Sequence, residues 1–149
     1  MKRKTKTTLA ITGLLILSFL LYSFITPYPN TRKFYKLISE SDRIVIKEFC
    51  VENETFGWKE IFESEDPEDI KSFGNSLILK KQSRFVRSYC KCLGTHSIYF
   101  YKNGKESIHI TNHHNESIRS DLWEGNVSIA NVDKWNTWLD SHLITNEEK

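Results

Sequence analysis

Asn103-Gly104 stands between two alternating runs in "HSIYFYKNGKESIHIT", residues 96–111, and no other pair narrows the fold as much. A two-residue hairpin turn needs positive φ at both central positions, which asparagine and glycine tolerate best, so the pair predicts a β-hairpin. Such a turn also sets register. Phe100 is then expected opposite Ser107, Ile98 opposite His109 and His96 opposite Thr111, and opposed residues share a face. One face would carry His96, Ile98, Phe100, Ser107, His109 and Thr111. The other would carry Tyr99, Tyr101, Glu106, Ile108 and Ile110. The second has more large apolar surface, so it is the face expected against the core.

Around this hairpin the other elements fall into place. "TRKFYKLISE" predicts a short helix, and "DRIVIKEFCVEN" a strand that "GWKEIFES" pairs back on. In "EDPEDIKSFGNSLIL", Asp66 caps and Pro67 takes the first helical position. Ile70, Phe73 and Leu77 then share one helical stripe. A strand is expected over about 84–92, ahead of the hairpin strands 96–102 and 105–112. "NVDKWNTWLDSHL" reads as a closing helix capped by Asn131, with Val132, Trp135 and Leu139 on one side. Helices set apart from consecutive antiparallel strands define a two-layer α+β domain, its sheet packed by two or three helices.

The N-terminus bears on location. "MKRKTK" precedes "TLAITGLLILSFLLYSFI", Thr8 to Ile25, which carries no charge. A run of about 20 apolar residues spans a bilayer as a helix, and basic residues ahead of it hold that end in the cytoplasm. The expected organisation is a cytoplasmic flank at 1–7, a signal-anchor in the lipid bilayer at 8–26, a juxtamembrane helix or linker at 27–42, and an extracytoplasmic domain at 43–149. Secretion after signal cleavage is the alternative; the run is longer than a signal core and lacks a small-residue exit. Four of the 21 basic residues lie in the flank and all 19 acidic residues follow it. The remainder is therefore slightly acidic, and nucleic acid is not an expected partner.

"YCKCLGTHSIYFYKNGKESIHITNHHNESIR", residues 89–119, holds two of the three cysteines and four of the five histidines. A tight turn at Leu93-Gly94-Thr95 would place Cys90, Cys92, His96, His109 and His113 near one end of the sheet. Thiolate and imidazole together suit zinc or copper, although one residue between the cysteines is closer than the usual zinc spacing. An extracytoplasmic location permits disulfides. Cys90 and Cys92, on one strand, point the same way and are too far apart to bond readily with each other. Cys50 on the first strand is then the expected partner of one of them. Unpaired cysteines packed as small apolar residues are the third reading.

"CKCLG", "IYFYKNGKESIHITNHHNESIRSDLWEG" and "WNTWL" together resemble a group of small bacterial proteins of unknown function. Their pattern is Cys-x-Cys-x-Gly, a hairpin, His-His-Gly-x-x-Leu/Ile-Arg, a tryptophan and a closing Trp-Leu helix. The matching positions over 90–139 are Cys90, Cys92, Gly94, His113, His114, Arg119, Trp123, Trp138 and Leu139, with Asn115 in place of glycine. The resemblance implies a bacterial origin and a shared fold, and it carries no known activity. Asparagine tolerates the left-handed conformation next best after glycine, so the turn is expected to survive.

No HExxH, GxSxG or P-loop occurs, and no nucleophile–base motif points to an enzyme. His113 and His114 are adjacent, and neighbours on a strand face opposite ways, which argues against both acting at one site. The leading expectation is a membrane-anchored extracytoplasmic binding or interaction module whose ligand the sequence does not name, a protein being the candidate partner. Trp58, Trp123, Trp135 and Trp138 are mainly core candidates, and an exposed one would mark a contact surface. The alternatives are a metal- or thiol-dependent protein using the 90–114 cluster, and a membrane-anchored immunity or inhibitor protein.

Overall fold

Polar caps and apolar stripes delimit the helices where their residues require them. The computed structural model describes residues 2–25, 30–52, 55–82 and 88–143. Helix α1, Lys2–Ile25, is continuous. Its described side chains are Thr8 and those of 11–21, all exposed, and no helix among the described residues is long and apolar enough to cross a membrane. The end of the expected anchor, at residue 26, lies outside the described residues. Helix α2, Thr31–Ser39, starts where the Asn30 side chain accepts from the Lys33 N–H at 3.1 Å. Its stripe buries Phe34 and Ile38. The helix expected to lead from membrane to domain therefore packs one face against the domain's core.

Strands β1, Arg43–Glu52, and β2, Thr55–Ser64, form an antiparallel hairpin. Helix α3, Pro67–Ser76, follows the predicted cap: Asp66 Oδ1 accepts from the Glu68 N–H at 2.9 Å with Pro67 in the first turn. Strands β3, His96–Lys102, and β4, Lys105–His113, turn at Asn103-Gly104, both with positive φ. Two short strands, β5 (Ser117–Ser120) and β6 (Val127–Ser128), complete a six-stranded antiparallel sheet in the order β2-β1-β3-β4-β5-β6. Helix α4, Val132–Leu143, closes the domain, with Asn131 Oδ1 accepting from the Lys134 N–H. Helices α2, α3 and α4 cover one face of the sheet, which makes the domain two-layered and α+β.

One irregularity overturns the expected hairpin faces. Beyond Tyr101↔Glu106 the register slips, and Phe100 pairs with Ile108, Tyr99 with His109 and Ile98 with Ile110. The slip is a bulge: one extra residue on β4 flips the strand's alternation relative to β3. Ile98, Phe100, Ile108 and Ile110 consequently all point to the helices and are fully buried. Tyr99 and Tyr101, expected inside, are only partly buried. The core centres on Phe73, whose ring meets Phe100, Trp135 and Trp138 at 4.9–5.3 Å. Trp123, Trp138 and Leu139 are buried there as well.

The strand expected over 84–92 does not form where it is described. Residues 84–87 lie outside the described residues. The stretch 88–95 crosses one end of the sheet without forming a strand of it, touching it through an isolated bridge, Ser88↔Asn126.

Candidate thiol–imidazole site

The far face of the sheet, away from the helices, is covered at one end by residues 88–95. Gly94 lies against β4 with φ +91°, where a Cβ would run into the Thr111 methyl and sit 2.8 Å from the Asn112 carbonyl oxygen. Only glycine combines that conformation with that approach. The segment is anchored on both sides of Gly94. The Thr95 N–H donates to Asn112 O at 2.8 Å, and the Asn126 N–H to Ser88 O at 2.7 Å. Arg119 on β5 donates from Nη2 to the Cys90 carbonyl at 2.6 Å, and through Nε and Nη2 to Asn126 Oδ1.

This path brings both cysteines over the end of β4. The Cys90 and Cys92 sulfurs are bonded to each other, with Cα atoms 5.3 Å apart, inside the range a disulfide accepts. The expectation that they could not pair assumed a strand, and they are not on one. The expected Cys50 bond is absent: Cys50 is a free thiol on β1, 3.7 Å from the Gly57 carbonyl on β2.

The β4–β5 turn supplies the imidazoles. His113 ends β4 on the far face, paired with Ser117. His114 and Asn115 then both take left-handed backbone, with φ of 55° and 57°. Asn115 thus adopts the conformation the sequence suggested, and its Oδ1 accepts from Asn112 Nδ2 at 2.6 Å. The alternation rule for strands stops at His113, so His114 is free to swing back to the same side. His113 Nδ1 lies 3.1 Å from Cys92 Sγ, and His114 Nε2 lies 3.5 Å from each sulfur.

His113 is fully buried, and its Nε2 has no hydrogen-bond partner among the described residues. Burial pushes its pKa down first, and the Arg119 and His114 charges add to that. The ring is therefore held neutral, with a lone pair available. Non-glycine residues in left-handed backbone are uncommon and carry strain, which concentrates at functional sites.

His96 and His109 do not join the site. His96, on the helix-side face of β3, has Nδ1 3.4 Å from Asn112 Nδ2, and burial lowers its pKa against the pull of Glu48. His109 has Nε2 2.6 Å from Ser97 Oγ and stacks on Tyr99 at 4.5 Å. Burial lowers its pKa too, opposed by Glu106 and Asp121. Register explains the separation, since the bulge moves His96 and His109 to opposite faces. Asn112 and Asn126, which no motif marks, are the supporting residues that sequence reasoning missed. Trp123, Trp138 and Leu139, singled out by the resemblance, belong to the core.

The donor atoms of Cys90, Cys92 and His113 lie within 4.8 Å of one another, so this group could hold a metal ion. Tetrahedral bonds of about 2.3 Å to sulfur and 2.0–2.1 Å to nitrogen put S and N about 3.5 Å apart. The observed 3.1–3.5 Å distances from the sulfurs to His113 and His114 match that spacing, while the two sulfurs, bonded to each other, would have to part to hold an ion. Fold and site thus define an α+β domain with a thiol–imidazole cluster at one end of an antiparallel sheet. No family model, curated protein or solved structure matches the chain.

Proposed function

We propose that the protein is a membrane-anchored extracytoplasmic domain whose Cys90, Cys92, His113 and His114 bind a soft metal ion, zinc or copper(I), when the thiols are reduced. The observation that carries this reading is the left-handed His114. It brings a second imidazole, with Nε2 3.5 Å from each sulfur, beside the Cys90, Cys92 and His113 group, so that two sulfurs and two nitrogens are on offer as donors. Such a set suits zinc and copper(I) rather than hard cations. Arg119 holds the Cys90 carbonyl, Asn112 holds Thr95 and Asn115, and Gly94 lets the segment lie against β4. The basic flank, the uncharged run after it and the helical state of Lys2–Ile25 support the anchor.

Metal analysis of the reduced full chain tests the site. Stoichiometric zinc or copper is expected, with loss on His113→Ala, and a reduced protein that takes up neither ion would end the reading. For location, protease added to intact cells should remove the domain while a cytosolic control survives. Survival of the domain would place it inside.

A second reading, a module that docks a protein partner, has its own support. On the β1–β2 hairpin Phe56 is 75% exposed and Trp58 38%, with the Phe49 ring stacked on Phe56 and edge-on to Trp58. Exposed aromatic clusters of this kind are contact surfaces more often than accidents.

A further inference from the structure

The bond between Cys90 and Cys92 and the metal reading use the same two sulfurs. We infer that this pair undergoes thiol–disulfide exchange, so that the site alternates between a disulfide that excludes metal and a dithiol that binds it. The inference rests on the metal reading above for its second state, and on the observed bond for its first.

The bond is a poor structural staple. A disulfide stabilises chiefly by closing a loop in the unfolded chain, and the effect shrinks with loop length. This one encloses Lys91 alone. The segment is instead held by Gly94 against β4, by the Thr95–Asn112 and Asn126–Ser88 hydrogen bonds, and by Arg119 on the Cys90 carbonyl. None of these contacts involves a sulfur, so opening the bond leaves the cysteines beside the imidazoles. A reagent can also reach them: Cys90 and Cys92 are half-buried, and the flanking Tyr89 and Leu93 are largely exposed.

The chemistry balances with a dithiol as partner. One thiolate of the dithiol attacks a sulfur of the pair, forming a mixed disulfide and releasing the other cysteine as thiolate. The second thiol of the partner then displaces the remaining cysteine. The partner leaves as a disulfide, oxidised by two electrons, and Cys90 and Cys92 are reduced by two. The two thiol protons pass to the cysteines or, on metal uptake, to solvent. In reverse, a small disulfide such as glutathione disulfide is reduced to two thiols while the pair re-forms and the ion is released.

The test uses the full chain in detergent, as disulfide and after reduction, titrated with zinc against a chromophoric chelator. The reduced form should bind stoichiometrically. The disulfide form, lacking two of four donors, should bind more weakly by more than the ~10–100-fold that disturbing a supporting contact costs. Glutathione disulfide added to the zinc-loaded form should release zinc as the Cys90–Cys92 peptide appears by mass spectrometry. Equal zinc binding by both forms would overturn the inference and leave a metal site built on histidine. A zinc-loaded form that keeps its ion and its thiols under glutathione disulfide would also overturn it. A reduced form that binds no zinc would sink the metal reading first, and the alternation with it.

Discussion

The two faces of the sheet obey different rules although they share the same strands. Toward the helices, Ile44, Ile46, Ile98, Phe100, Ile108 and Ile110 are fully buried among aromatic rings. On the far face His113 is equally buried, yet one of its ring nitrogens has no partner among the described residues and its neighbours are sulfur, imidazole and guanidinium. Burial on the first face lowers free energy simply by removing apolar area from water. Burial on the second desolvates polar groups and places two residues in left-handed backbone, costs that a fold does not need. Equal burial therefore stabilises the fold in one place and, in the other, has a cost that the proposed metal site would account for.

Truncation should separate the faces most sharply. Phe73→Ala removes the ring at the centre of the core and is expected to cost ~3–5 kcal/mol in denaturant unfolding. Phe56→Ala, at the exposed tip of the β1–β2 hairpin, should stay within about 0.5 kcal/mol. If the two variants unfold alike, the helices do not define the core.

Gly94→Ala comes next. An alanine there must hold φ near +91° with its Cβ against β4, a strain of roughly 1–3 kcal/mol. Because the segment lies outside the core, the expected outcome is a folded domain with its metal affinity lost. Unchanged metal binding would show that the segment does not position the thiols.

His114→Gly tests the strain argument from the opposite side. Relieving one left-handed residue should raise stability by roughly 0.5–1 kcal/mol, since left-handed backbone costs an L-residue ~1–2 kcal/mol and glycine's own entropy returns part of it. Metal affinity should fall in the same variant. A variant that is both less stable and unchanged in binding would make His114 a structural residue.

What could be read from the residues divides along the same faces. The Asp66-Pro67 start, the Ile70–Phe73–Leu77 stripe, the Asn103-Gly104 turn and the Trp135–Leu139 helix each follow from local chemistry, and each is found. The inward face of the hairpin was half legible, because a bulge at Phe100/Tyr101 needs no glycine or proline to mark it. "CKCLG" and "HHN" marked the right segments. The meeting of Cys90 and Cys92 with His113 was legible, but the bond between the cysteines and the approach of His114 were not, because strand alternation does not hold for Cys90, Cys92 and His114, which lie outside strands. Asn115 held the missing signal: a residue at ease in left-handed backbone directly after His-His announces that the strand has ended.

The smallest expected effect is a pH dependence that both faces share. Burial lowers the pKa of His96 on the helix side and of His109 on the far side below the ordinary 6.5. In the window from 6.5 down to the folded values, the unfolded chain binds more protons than the folded one. Stability therefore rises with pH there: it is fully present above about 6.5 and is lost as the pH falls. Carboxylates titrate mainly nearer 4, so an interval from pH 7.5 to 5.5, with chelator present, isolates the histidines. The unfolding midpoint should fall across that interval, and His109→Gln should make the fall shallower. Glutamine keeps a polar group near Ser97 Oγ, which His109 Nε2 meets at 2.6 Å, so the variant removes titration more than packing. A midpoint that rises on acidification would mean that these rings fold in the charged form. In that event Glu48 beside His96, and Glu106 and Asp121 near His109, would outweigh burial.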